Sequence, residues 1–169
     1  MAQTDDAAIE IVYLIIRHSP SPLCASLKCA KSLLADIGLR SCAVDLQGFT
    51  GCLQDDVVIY GTDASEEEQF LVIVHEVAEH VARQEMPGLF DVFEHAAFDG
   101  SMSMAGDPRH IIARKVETLI CKRLGIDRAK VLPPRPQPAI WYKYQFPRVE
   151  IEYVPVVEAF QDDIYSWET

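Results

Sequence analysis

A string of six residues, His75-Glu76-Val77-Ala78-Glu79-His80, interrupts a stretch that otherwise reads as a buried helix. Phe70 to Val74 before it are apolar, and Val77, Ala78, Val81 and Ala82 continue the pattern. Burying charge or unpaired polar groups is expensive, so four ionisable groups in such a helix need compensation. A bound metal ion is one form of it; a salt-bridged surface face is another. On a helix, positions four apart lie about 40° from each other and positions five apart about 140°. His75 and Glu79 therefore share a face, and Glu76 and His80 share the adjacent one.

The zinc-peptidase pattern H-E-x-x-H places two histidines at i and i+4, with the glutamate free to act as a base. Here Glu79 stands at the second histidine position and His80 follows one residue late. Three arrangements are open. His75 and Glu79 are both ligands and Glu76 is the general base; a His/carboxylate set suits zinc, and also iron or manganese. Alternatively, His80 is a ligand after a local widening of the helix. Or two i,i+4 His/Glu pairs merely stabilise an exposed face.

The 169 residues carry 49% apolar and 24% charged side chains, as an ordinary globular domain does. The net charge of −11 disfavours direct, non-specific nucleic-acid binding, which needs a basic surface. The apolar run Ile9 to Ile16 is too short to span a membrane and is read as a buried strand over 8–17. Asp5 and Asp6 stand where a signal peptide would carry positive charge, which points to a cytoplasmic protein. Cys24, Cys29, Cys42, Cys52 and Cys121 form no C-x-x-C pair and read mostly as small buried apolar residues in a reducing compartment.

Ser21 and Pro22 are placed to start a helix that Gly38 ends. Cys42 to Leu46 and Val57 to Tyr60 read as strands, with Gly48 and Gly51 marking a turn between them. Ser65 and Glu68 form a capping box before the motif helix, which should stop before Pro87-Gly88. A further helix is expected over 108–124, closed by Gly125. Four prolines between 133 and 138 make an extended linker. Two parts follow: a domain over 1–134, and a Pro-rich linker with an aromatic and acidic extension over 135–169.

In this order the elements resemble the ImmA/IrrE family of zinc metallopeptidases. The residues that carry the resemblance are Ala30 to Arg40 (AKSLLADIGLR), Ala43 to Leu46, Gly48 to Gly51, Val57 to Tyr60, Glu67 to Phe70 and Val74-His75-Glu76. It covers roughly residues 27–134. The resemblance implies an α+β, zincin-like fold: a small mixed or antiparallel sheet packed on helices, with the metal motif on a central helix. It implies a metal-dependent endopeptidase holding zinc, with iron or manganese as alternatives, and Glu76 as catalytic base. The metal ligands would come from His75, Glu79 and His80, with Glu117 on the following helix as the third. Glu94, His95 and Asp99 are the other candidates for that third position. The substrate would be a protein or peptide, such as a helix-turn-helix repressor, and no membrane is involved. The extra negative charge of Glu79 should weaken the Lewis acid, slowing the reaction or moving it to higher pH.

Two other readings stand beside this one. Residues 11–46 resemble the opening of a thioredoxin-like domain, with Cys24 near a helix start as a reactive thiol. Alternatively, the altered motif marks a pseudopeptidase that binds proteins, and Trp141, Tyr142, Tyr144, Phe146 and Trp167 contribute to an interface. His110, at the start of the helix that bears Glu117, is read as a capping or surface residue, with assistance at the site as the alternative.

Overall fold

A computed structural model describes residues 2–45, 51–85 and 108–132. The described elements run α1 (Ala2–His18), α2 (Leu27–Ile37), β1 (Arg40–Val44), β2 (Gly51–Gln54), β3 (Val57–Gly61), α3 (Glu66–Glu85), α4 (Pro108–Leu124) and α5 (Arg128–Val131). The chain is α+β, mostly helical, with one small mixed sheet.

The first element corrects the sequence expectation. The strand read over 8–17 is part of helix α1. Its branched residues favour strands intrinsically. Its burial, however, follows a helical stripe: Ala7, Ala8, Ile11 and Ile15 are in the core, while Ile9 and Tyr13 are exposed. That spacing is the i, i+3/i+4, i+7 pattern of an amphipathic helix. Packing against α3 and α4 rewards the stripe and overrides the propensity. With a helix in first place, the thioredoxin-like order of strand, helix and strand is lost. Cys24 is exposed before α2, and Cys29 is buried within it.

Helix α2 starts later than expected. Ser26, not Ser21, is the N-cap, with extended backbone and its hydroxyl oxygen accepting from the Cys29 amide at 3.1 Å. Gly38 ends the helix in the left-handed region at φ 84°, as anticipated. Leu33 and Leu34 supply its fully buried side.

The sheet has the order β1-β3-β2. β1 pairs parallel with β3, and β2 pairs antiparallel with it. The central strand is buried at every residue, Val57 to Gly61. β2 and β3 are joined by a two-residue turn in which Asp55 has φ 56°, a conformation Asp tolerates better than most residues. A Cβ built on Gly51 would lie 2.5 Å from Val72 Cγ1 and 2.6 Å from the Ile59 carbonyl oxygen. The backbone oxygen cannot yield cheaply. Gly51→Ala should therefore destabilise the fold by about 1–3 kcal/mol, the usual scale of overpacking, read as a lower thermal midpoint.

Helix α3 is the centre of the molecule. It packs against α4, α2, α1 and the sheet. Ser65 Oγ accepts from the Glu68 amide at 3.1 Å, so one half of the expected capping box is present. Phe70 to Val74 are all buried, as are Val77, Ala78, Val81 and Ala82. The polar string is thus embedded in a helix covered on most sides. α4 runs over the expected residues and ends in a Schellman turn. There the Ile126 amide donates to the Cys121 carbonyl at 2.9 Å and Gly125 has φ 69°. The expected turn at Gly48, the candidates Glu94, His95 and Asp99, and the 135–169 extension lie outside the described residues.

Candidate functional site

The face of α3 that carries His75 and Glu79 is met by α4. On α4, His110 and Glu117 are seven residues apart. Two turns of helix bring such positions back to within about 20° of each other, so both can address the same neighbour. They divide the His75 ring between them. His75 Nδ1 hydrogen-bonds the Glu117 carboxylate. His75 Nε2 lies 2.8 Å from Glu79 Oε2 and 3.2 Å from His110 Nδ1. His110 Nδ1 is 3.1 Å from the same Glu79 oxygen. The two imidazoles meet edge to face, 4.8 Å between centroids.

His75 Nε2, Glu79 Oε2 and His110 Nδ1 therefore form a compact triangle. Together they make the group with metal-ligand geometry among the described residues. A four-coordinate zinc with bonds of about 2.0–2.1 Å spaces its ligand atoms about 3.3–3.4 Å apart. The observed edges fall a few tenths of an ångström short of that. A small expansion of the triangle suits such an ion, and the donor types are ones it accepts. The side chains of His75, Glu79 and His110 are 14%, 23% and 26% exposed, so the triangle is partly open to solvent rather than sealed.

Glu117 is 2% exposed and is not part of the triangle. One of its oxygens faces His75; the other, Oε1, accepts from Arg128 Nε at 2.5 Å. This differs from the expectation that Glu117 is the third ligand. The atom it contacts is the ring nitrogen opposite the one in the triangle. His110, read from sequence as a capping or surface residue, takes the third position. The signal that could have found it is the seven-residue spacing to Glu117.

His80 is likewise outside the triangle. Burial, and then the charge of Arg83, lower its pKa, so it favours the neutral form. The fifth histidine, His18, pairs with Asp36 elsewhere.

The electrostatics follow from burial and contact. Burial alone would lower the His75 pKa, but hydrogen bonds to Glu117 and Glu79 and the charges of Glu76 and Glu117 outweigh it and push it to about 10. Glu79 is disfavoured as an anion by burial, yet hydrogen bonds from His110 and His75 bring it down to about 2. Burial opposes the Glu117 carboxylate as well; His75 and Arg128 overcome this and lower its pKa. Glu76 has the opposite balance. Burial, then repulsion from Glu79, raises it to about 8, with His75 only partly compensating.

Nothing among known protein families, curated proteins or solved structures matches this chain. Among the described residues, no helix is long and apolar enough to cross a membrane.

Proposed function

We propose that the chain is a metal-dependent hydrolase of the zincin-like peptidase class, with His75, Glu79 and His110 as ligands and Glu76 as general base. The observation that carries this reading is the triangle of three donor atoms, 2.8–3.2 Å apart, beside a buried glutamate one residue along the same helix. The resemblance in element order supports it. The pattern it implies draws two histidines from the motif helix and a glutamate from the next. Here one histidine and one glutamate come from the motif helix, and the second histidine comes from α4. The donor set is still two imidazoles and one carboxylate, a set that catalytic zinc sites use. The charge at the ion is then the same as in the ordinary pattern. This removes the reason to expect a weak Lewis acid from Glu79 alone. Zinc fits the set; iron or manganese fits it too.

A divalent cation held there would supply Lewis-acid polarisation of a carbonyl and of the attacking water. The chain supplies the rest. Glu76 accepts the proton of the water and delivers it to the departing amine. Burial favours the neutral form of Glu76, and the charge of a bound ion would offset this, so that the carboxylate is the form that meets the water. Glu117 holds the imidazole of His75 from behind, as carboxylates commonly do for metal-bound histidines. The substrate is a protein or peptide, and the resemblance makes a helix-turn-helix repressor a specific candidate.

Metal analysis of purified protein tests the reading. Wild type and His80→Ala should each retain about one equivalent of a divalent ion, while His75→Ala, Glu79→Ala and His110→Ala should lose it. Added ion should also raise the melting temperature of stripped wild type; at about 100 times the Kd the gain is about 2.7 kcal/mol. A wild type that neither retains nor responds to divalent ions would instead favour the protein-binding pseudopeptidase. The observation favouring that alternative is that the His/Glu cluster already satisfies itself by hydrogen bonding.

A further inference from the structure

We infer that Arg128 is a positioning residue for the site, acting on His75 through Glu117. The sequence builds this arm locally. Gly125 adopts the left-handed conformation that turns the chain out of α4. Asp127 then caps the short helix α5, its side chain accepting from the Ala129 amide at 3.1 Å. The Leu132 amide closes the turn on the Arg128 carbonyl at 2.7 Å. The effect is to fold residue 128 back along α4, onto a glutamate eleven residues earlier.

The contact is specific. Arg128 Nε and Nη2 both lie 2.5 Å from Glu117 Oε1. The second carboxylate oxygen is left for His75 Nδ1. The Glu117 side chain is 2% exposed, so water cannot replace either partner. Arg128 holds one oxygen of the buried carboxylate and leaves the other turned to His75. Glu117 in turn accepts the Nδ1 proton, which fixes the His75 ring and leaves Nε2 directed at Glu79 and His110. Arginine suits this role because two nitrogens of its planar guanidinium converge on Oε1, which the single ammonium of a lysine reproduces less well.

The assignment rests on the metal reading only for its second readout. The first is made on metal-free, isotope-labelled full chain. The His75 Nδ1 proton should appear as a downfield, slowly exchanging resonance, absent from His75→Ala. In Arg128→Gln it should vanish or exchange at least about tenfold faster, and in Arg128→Lys it should persist in part. The second readout is affinity for added zinc. Arg128→Gln should bind about 10–100-fold more weakly, the usual cost of losing a partner behind a ligand, and Arg128→Lys should recover much of that loss. If wild type fails to bind zinc, the metal reading falls and the proton resonance still decides the role of Arg128. A folded Arg128→Gln protein with wild-type exchange at His75 would overturn the assignment. If Arg128→Gln does not fold, wild-type exchange at His75 in a folded Arg128→Lys protein overturns it equally.

Discussion

Glu76→Gln is expected to abolish most peptide hydrolysis while leaving the ion in place. Glutamine is nearly isosteric but cannot accept the proton of the attacking water. Removing a general base of this kind costs about 10²–10⁴-fold in rate. None of the triangle atoms belongs to Glu76, so metal content should match wild type. The same substitution has a second effect that needs no ion. The folded-state pKa of Glu76 is raised from 4.5 to about 8. A raised pKa means that the proton binds the folded state more tightly. The contribution to stability is therefore complete below about pH 4.5 and is lost as pH rises through about 8. Above that, the fold carries a buried carboxylate beside Glu79. Metal-free Glu76→Gln should consequently gain on wild type as pH rises from 5 to 9, by a few kcal/mol at most. Parallel denaturant titrations at the two pH values would show it. A difference between the proteins that does not change with pH would mean that Glu76 is solvated.

The parts of the fold that were legible in sequence are those fixed by local chemistry. Gly38 and Gly125 end their helices in left-handed conformations, and Ser65 caps α3, all within a few residues of contact. The segments around β1 and β3 were legible because short apolar runs lay between turn residues. Helix α1 was not, because Ile9, Ile11, Val12, Ile15 and Ile16 carry strand propensity while the deciding factor is packing against α3 and α4. Helix α2 starts later than Ser21-Pro22 implies, because Ser26 takes the extended backbone and the capping hydrogen bond.

The site divides in the same way. The shared face of His75 and Glu79 follows from helix geometry within one segment. His80 stayed open as a candidate in sequence, and only the unbroken α3 leaves it outside the triangle. What sequence spacing could not supply is which end of the His75 ring each α4 residue meets. Glu117 at Nδ1 and His110 beside Nε2 depend on how α4 is set across α3. That placement sets Glu117 behind the His75 ring and brings His110 into the triangle.

On the proposed metal reading, ion binding should depend steeply on pH. In the metal-free protein His75 is held protonated by Glu117 and Glu79, with its pKa raised from 6.5 to about 10. That contribution to stability is fully present below about pH 6.5 and disappears as pH rises through about 10. A ligand nitrogen must give up its proton, so the ion competes with this stabilised imidazolium. Each unit of pH below 10 should weaken apparent affinity about tenfold from this group alone. Glu79 adds nothing to the dependence near neutrality, because its pKa, brought down to about 2, leaves it already ionised. Glu76 adds a smaller share below about pH 8, where the incoming positive charge drives out its proton as well. Glu76→Gln removes the Glu76 share and leaves the protons of the histidine ligands. Between pH 8 and pH 6, the zinc affinity of both proteins should fall by at least about 100-fold, and that of wild type by more than that of Glu76→Gln. Calorimetry in buffers of different ionisation enthalpy counts the protons directly. Release of at least about one proton per ion from Glu76→Gln is the expected result; affinity that stays level across those two pH units would place the ion somewhere other than on His75.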